Sequence, residues 1–126
     1  MFGSSLVGGR GRTEGNCTWY AHGRLLEMGK RPAALRTMRG NANQWHNQLS
    51  NGSRIVSSPQ VGDIAQWTAG GANHVAVVEA VHPNGTITIS ESHYRTNWDG
   101  GGAGTLHWVR RISAQSPTRY IRVPNA

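Results

Sequence analysis

The chain has 126 residues, a length typical of one small domain that buries its own hydrophobic core without a metal or a disulfide. Thirteen Lys and Arg residues stand against six Asp and Glu residues, so the formal net charge is +7. This charge favours anionic partners, but no run of five or six basic residues marks a nucleic-acid-binding tail. No segment approaches the ~18 consecutive apolar residues of a membrane span, and no signal peptide is recognisable.

The first residues differ in composition from the rest of the chain. Residues 1–14 are rich in Gly and Ser, and we expect them to form a flexible leader or the end of a fragment. Residues 15–126 are predicted to form a single catalytic domain.

Two helices are predicted in the first half of this domain. Asn16 is a candidate N-cap, and it is followed by residues at helical spacing, namely Cys17, Ala21, Leu25 and Met28. Gly29 is a typical helix stop. Cys17 is therefore expected in the first turn of a helix, on its inward-facing side. A second helix is predicted over residues 41–49, after a basic connector.

The second half of the chain is dominated by strand signals. Short strands separated by turn residues are predicted at 54–57, 64–67, 73–81, 86–91, 106–112 and 119–123. The near-continuous apolar run in 73–81 is typical of a central strand, and the His-Pro-Asn-Gly stretch at 82–85 predicts a hairpin turn. The predicted fold class is α+β, with N-terminal helices packed on an antiparallel sheet.

Cys17 is the single cysteine, so it cannot form a disulfide within the chain. At a helix N-terminus, the positive end of the helix dipole and the free N–H groups favour a thiolate, and the backbone N–H of Cys17 is a candidate oxyanion donor. The alternative is a buried apolar cysteine on the helix stripe, which is the commoner role of an isolated free cysteine.

His74 and Glu91 are the candidate partners of this thiol. His74 opens the apolar strand, from which an imidazole can reach a helix N-terminus. With the hairpin turn centred near residue 83, antiparallel pairing places residue 91 opposite about residue 75, and so beside His74. A carboxylate there orients a catalytic imidazole, and His93 is a candidate supplement to that base. Each residue alone also fits an ordinary loop or sheet-edge role.

Five stretches of the sequence resemble the CHAP domain (cysteine, histidine-dependent amidohydrolase/peptidase). They cover residues 16–21 (NCTWYA), 40–45 (GNANQW), 61–67 (VGDIAQW), 73–79 (NHVAVVE) and 90–94 (SESHY). The resemblance extends over roughly residues 15–123, with the motifs in the family's order and at similar spacing. It implies a papain-like, NlpC/P60-like fold.

The resemblance also implies roles for individual residues. Cys17 is expected to be the nucleophile, His74 the base and Glu91 the carboxylate that orients it. The family often has Asn two residues after this Glu, where this chain has His93. Candidate substrate-binding residues are Trp67, Asn73, Tyr94 and Trp98. No cofactor and no metal are expected, because the stretch before Cys17 has one carboxylate and a calcium site needs several oxygen ligands.

The function implied is hydrolysis of amide bonds in the peptide of bacterial peptidoglycan, by an N-acetylmuramoyl-L-alanine amidase or an endopeptidase. The alternative is a non-catalytic module that binds the cell wall or a protein through a degenerate hydrolase fold. The expected partners are peptidoglycan and a cognate inhibitor or immunity protein, with neither nucleic acid nor membrane insertion. We expect a monomer that faces the cell wall or the extracellular space.

Overall fold

The computed structural model describes residues 17–94 and 105–126, and it confirms the α+β class. The helices are α1 (Cys17–Glu27) and α2 (Pro32–Leu35), with 3₁₀ turns at Ala42–Asn47 and Ala69–Gly71. The strands are β1 (Arg54–Val56), β2 (Ile64–Trp67), β3 (His74–Val81), β4 (Thr86–Tyr94), β5 (Thr105–Ser113) and β6 (Arg119–Arg122). They form one antiparallel sheet in the order β1-β6-β2-β3-β4-β5.

Helix α1 begins at Cys17, as the sequence predicts, and it is closed by a glycine at its other end. Gly29 has φ 84°, a left-handed conformation that glycine adopts without steric cost. The backbone N–H of Gly29 donates to the Leu26 carbonyl and that of Lys30 donates to the Leu25 carbonyl, both at 3.0 Å. These bonds satisfy carbonyls at the end of the helix. Helix α1 is thereby closed at its C-terminal end, and Cys17 is its first residue.

Strand β3 is buried on both faces, which explains its continuous apolar sequence. Val75 and Val77 pack in the core that includes α1, while Ala76 and Val78 pack in a second core on the other face. Successive side chains of a strand point to opposite faces, so one strand contributes to both cores. The prediction that this segment is a central strand is confirmed by its position between β2 and β4.

The β3–β4 hairpin contains a β-bulge. On the turn side Val81 pairs with Ile87, and on the far side Val77 pairs with Ser90, so the register shifts by one residue in between. The shift lies at Glu79, which is the extra residue of the bulge.

The bulge determines which face of the sheet carries Glu91. Carried on past Ser90, the register places Glu91 opposite Ala76, on the face that also carries His74. Hairpin counting on the sequence predicts residue 91 opposite about residue 75, and this register is wrong by one position. A strand alternates faces with a period of two, so without the bulge Glu91 and His74 would point to opposite faces.

The Glu79 side chain anchors the bulge to α1. Its Oε2 accepts from Arg24 Nε at 2.7 Å and its Oε1 accepts from Arg24 Nη2 at 2.8 Å. The Ser90 hydroxyl on β4 donates to the same carboxylate at 2.6 Å. Helix α1, β3 and β4 are therefore joined at one carboxylate.

Several elements differ in extent from the predicted ones. The second predicted helix, over residues 41–49, is a 3₁₀ helix at Ala42–Asn47, and the basic connector contains the short helix α2, with Pro32 at a position where proline is favourable. Strand β4 extends three residues beyond its predicted end, because it stays paired with β5 up to Tyr94. Among the described residues, no helix has the length and apolar content that crossing a membrane requires.

Replacing Glu79 with Ala is expected to lower the free energy of unfolding by about 1–2 kcal/mol, because charged hydrogen bonds are lost from a partly exposed site. Urea denaturation measures this loss. In a double-mutant cycle with Arg24→Ala, the combined variant should lose less than the sum of the two single losses. Strictly additive losses would show that the two side chains are not coupled.

Candidate active site

The structure brings Cys17, His74 and Glu91 together, although 74 positions separate the first from the last in sequence. Cys17 is the first residue of α1, His74 is the first residue of β3, and Glu91 lies in β4. His74 Nε2 lies 2.7 Å from Glu91 Oε1. The Glu91 side chain is 1% exposed and that of His74 is 18% exposed. The imidazole is thus held by a buried carboxylate while part of its ring reaches the surface.

His74 has a shifted pKa because of its surroundings. Burial lowers its pKa, but hydrogen bonds to Cys17 and Glu91 and the charges of both groups outweigh burial and raise the pKa from 6.5 to about 9. Since Nε2 faces Glu91, Nδ1 is the ring nitrogen left for Cys17. A thiol, an imidazole and a carboxylate in this order are the arrangement that nucleophilic acyl transfer requires.

Four neighbouring strands each contribute one residue to a row of side chains on the same face of the sheet. The row contains Trp67 on β2, His74 on β3, Glu91 on β4 and Arg110 on β5. Trp67 pairs directly with His74, and their ring centroids lie 5.3 Å apart. Trp67 Nε1 donates to Ser116 Oγ at 3.2 Å, so the indole N–H is already engaged within the chain. The Trp67 ring therefore lies beside the His74 ring, with the two planes tilted by 38°.

Arg110 is a residue of this site that the sequence does not predict. Its Nε donates to Glu91 Oε2, and its Nη2 lies 3.3 Å from Glu91 Oε1. Arg110 pairs with Ile89, so it reaches Glu91 diagonally across β4 and β5. Finding this contact from sequence requires the β4–β5 register, and the Gly-rich stretch between the two strands gives no basis for setting it.

Of the other candidate substrate-binding residues, the structure describes the side chain of Asn73. Asn73 is exposed, and its Oδ1 accepts from the backbone N–H of Asn43 at 2.8 Å, which ties the 3₁₀ helix to the start of β3. His93 and Tyr94 lie in β4 opposite Leu106 and Thr105, but their side chains lie outside the described part of the structure. Trp98 also lies outside the described residues.

The structure also bears on metal binding at this site. Within residues 17–94 and 105–126, no group of three or more His, Cys, Asp or Glu side chains is arranged to hold a metal ion.

Comparison with known proteins identifies relatives of this chain. The family model described as CHAP domain matches residues 7–93. The chain is 44% identical over 81 residues to the probable autolysin LDP of Staphylococcus aureus, which covers 64% of this chain and 28% of that protein. It is 43% identical over 81 residues to the N-acetylmuramoyl-L-alanine amidase sle1 of Staphylococcus haemolyticus, covering 64% and 24%.

A longer alignment and a solved structure extend the comparison. The staphylococcal secretory antigen SsaA of Staphylococcus aureus is 38% identical over 109 residues, which is 86% of this chain and 38% of that protein. The crystal structure of an N-acetylmuramoyl-L-alanine amidase from Staphylococcus aureus matches with a TM-score of 0.65 at 26% identity, over 89% of this chain and 31% of that one. The chain spans less than two fifths of the length of each of these relatives.

We expect His74 to titrate near pH 9 and to titrate at lower pH in Cys17→Ala. Cys17 and Glu91 both raise the pKa of His74 against the effect of burial, and in this variant only Glu91 is left to do so. Nuclear magnetic resonance of the His74 ring measures both values. Because the pKa of folded His74 is raised above 6.5, its pairing stabilises the protein fully below about pH 6.5, and that contribution is lost as the pH rises through about 9. An unchanged His74 titration in Cys17→Ala would show that the two side chains do not interact.

Proposed function

The chain belongs to the CHAP domain family, and on that premise we propose that it hydrolyses amide bonds in the peptide of bacterial peptidoglycan. The observation that carries this proposal is the contact of His74 with both Cys17 and the buried Glu91. In this proposal Cys17 is the nucleophile, His74 the general acid and base, and Glu91 the group that orients His74. The assembled site favours an enzyme over a degenerate binding module, because a module without turnover has no need of a paired imidazole.

The first half of the reaction forms a thioester. The Cys17 thiolate attacks the carbonyl carbon of the substrate amide, and the negative charge moves to the carbonyl oxygen. The backbone N–H of Cys17, at the N-terminus of α1, is a donor for this oxyanion. His74 then gives its Nδ1 proton to the amide nitrogen, the C–N bond breaks and the amine leaves.

The second half regenerates the enzyme. The neutral imidazole of His74 takes a proton from water, and the resulting hydroxide attacks the thioester carbon. The C–S bond breaks, and the product leaves as a carboxylic acid that gives its proton to solvent, while Cys17 returns to the thiolate beside a protonated His74. Glu91 stabilises the imidazolium of this resting state, since its Oε1 lies 2.7 Å from Nε2.

The names of the relatives favour one bond among those in the wall peptide. The sle1 protein and the structural relative are both N-acetylmuramoyl-L-alanine amidases. We therefore propose the amide between the muramoyl group and L-alanine as the first bond to examine, with an endopeptidase cut as the competing result. Autolysin and secretory antigen relatives support a location at the cell wall or outside the cell. A cognate inhibitor and a monomeric state stay predictions.

The distribution of charge supports an anionic wall as the setting. Residues 28–62, here called the basic segment, contain no Asp or Glu, and their basic residues are Lys30, Arg31, Arg36, Arg39 and Arg54. The only Trp, Tyr or Phe of the basic segment is Trp45, which is buried. A basic surface without exposed aromatic rings suits anionic wall polymers better than nucleic acid bases, which need stacking partners.

Replacing Cys17 with Ala is expected to reduce hydrolysis of purified peptidoglycan by about a thousandfold or more, because the nucleophile is lost. Mass spectrometry of the released fragments measures the loss and identifies the bond that the wild-type protein cuts. Circular dichroism of both proteins checks that the fold is retained. Full lytic activity in Cys17→Ala contradicts the proposal, and a wild-type protein that binds the wall without releasing fragments points to the binding module.

Binding to the wall is expected to weaken as salt is added and to weaken further when Arg36 and Arg54 are both replaced by Gln. Both side chains are exposed, and neither pairs with a carboxylate among the described residues. Sedimentation with insoluble wall at several salt concentrations, in the Cys17→Ala background, separates binding from hydrolysis. Arg111→Gln removes one exposed charge outside the basic segment and serves as the control. An equal loss per charge in both variants would assign binding to net charge alone.

A further inference from the structure

We propose that Arg110 is a positioning residue of this site, which keeps the Glu91 carboxylate ionised and correctly oriented so that Glu91 in turn orients His74. The effect of Arg110 on turnover rests on the proposed function. Two observations support this role, the geometry around the carboxylate and the difference in burial between Glu91 and Arg110. The alternation of charge in the thiolate–imidazolium form of the site agrees with it.

The carboxylate of Glu91 is held from two strands. On the β3 side, His74 Nε2 lies 2.7 Å from Oε1. On the β5 side, Arg110 Nε donates to Oε2, while Nη2 lies 3.3 Å from Oε1. A fork of two donors fixes the plane of a carboxylate as well as its position. Arg110 therefore limits rotation of the group that the imidazole depends on for its own orientation.

Burial differs strongly between the two members of this ion pair. The Glu91 side chain is 1% exposed, whereas that of Arg110 is 53% exposed. Burying an ionised carboxylate is unfavourable unless it is paired, while a half-exposed guanidinium keeps much of its hydration. The contact therefore matters more for keeping Glu91 ionised than for keeping Arg110 ionised. An ordinary surface ion pair, exposed on both sides, lacks this asymmetry.

The charges of the site alternate from helix to sheet edge. In the thiolate–imidazolium form of the proposed enzyme, Cys17 is negative, His74 positive, Glu91 negative and Arg110 positive. Each charge then contacts a neighbour of opposite sign, and the four sum to zero. Without Arg110 the buried part of the site carries a net negative charge, which favours protonation of Glu91 and weakens its hold on His74. In the described part of the chain, His74 and Arg110 contact the Glu91 carboxylate, and Cys17 lies on the other side of His74.

Arg111 provides a matched control from the same strand. It is the next residue of β5, it is exposed, and its backbone pairs with Thr88. Alternation along the strand places it on the opposite face from Arg110. It contacts no carboxylate among the described residues. Arg111→Gln therefore removes the same charge as Arg110→Gln without touching Glu91.

The experiment compares Arg110→Gln, Arg110→Lys and Arg111→Gln over a range of pH. The first readout is kcat for fragment release from peptidoglycan, and the second is the rate of alkylation of Cys17 by iodoacetamide, which needs no substrate. In Arg110→Gln we expect kcat to fall about tenfold to a hundredfold, the range typical of groups that orient a reactive side chain. We expect the acid limb of both profiles to move up by about one pH unit or more, because Glu91 loses a cation.

The two other variants separate charge from geometry. Arg110→Lys keeps the charge but not the fork, so its acid limb should stay in place while kcat falls to a smaller extent. Arg111→Gln should match the wild type in both readouts. A loss of activity in Arg110→Gln that comes with a lower melting temperature, but with no shift of the acid limb, indicates a structural role and overturns the proposal. The proposal is equally overturned if Arg110→Gln behaves as Arg111→Gln does.

The design also separates this proposal from the proposed function. If the wild-type protein releases no fragments, the proposed function fails, while the alkylation profiles of Arg110→Gln and Arg111→Gln still decide whether Arg110 acts on the site. If Arg110→Gln does not fold, Arg110→Lys decides. A lower kcat or alkylation rate with an unmoved acid limb and an unchanged melting temperature then supports the proposal. Wild-type values of both rates, or a loss that comes with a lower melting temperature, overturn it.

Discussion

A carboxylate that is almost completely withdrawn from water imposes strict requirements on the residues around it. Glu91 is 1% exposed, and a buried charge of this kind is tolerated only when cations and hydrogen-bond donors surround it. His74 supplies one contact from β3, and Arg110 supplies the fork from β5. Three adjacent strands must therefore be aligned before the site exists. The rest of the domain can be understood as the framework that holds these strands, and the N-terminus of α1, in place.

The bulge at Glu79 contributes to this alignment in two ways. It shifts the β3–β4 register so that Glu91 and His74 share a face. Its carboxylate also binds Arg24 on α1 and accepts from Ser90, the residue next to Glu91. The helix that presents Cys17 is thus attached to the same irregularity that brings His74 and Glu91 together. Bulges near active sites commonly redirect a side chain in this way.

The parts of the site that the sequence predicts are those set by local pattern. Cys17 follows a candidate N-cap and opens a helical stripe, and His74 opens an apolar run, so both could be placed at the start of an element. The α+β class follows from the same periodicities. The pairing of Glu91 with His74 was anticipated, but the register used for it was wrong, because hairpin counting assumes regular strands. A single charged residue within an apolar run, Glu79, was the local sign of the bulge.

Features that depend on the arrangement of distant segments could not be predicted from pattern. Arg110 reaches Glu91 only because β5 pairs with β4, and a long connection between two strands leaves their register open. The 3₁₀ helix at Ala42–Asn47 is a further example, since it is held by tertiary hydrogen bonds to Asn73 and Gln66 and not by helix propensity. Family resemblance predicts which groups react, whereas the structure is needed to find the residues that contact them.

The bulge makes the site sensitive to the parity of chain length. Within the paired parts of β3 and β4, one inserted or deleted residue that the bulge did not absorb would exchange the faces of Glu91 and His74 relative to each other, whereas a change of two residues would restore them. A chain that made this strand regular without losing a residue would need a compensating change of one residue in the turn to keep both side chains together. Length variation within the paired strands should therefore occur in even steps or in matched pairs. Single insertions are therefore expected in the turn at 82–85, which is exposed for most of its length and can form a longer loop while β3 and β4 keep their pairs, and not within the strands.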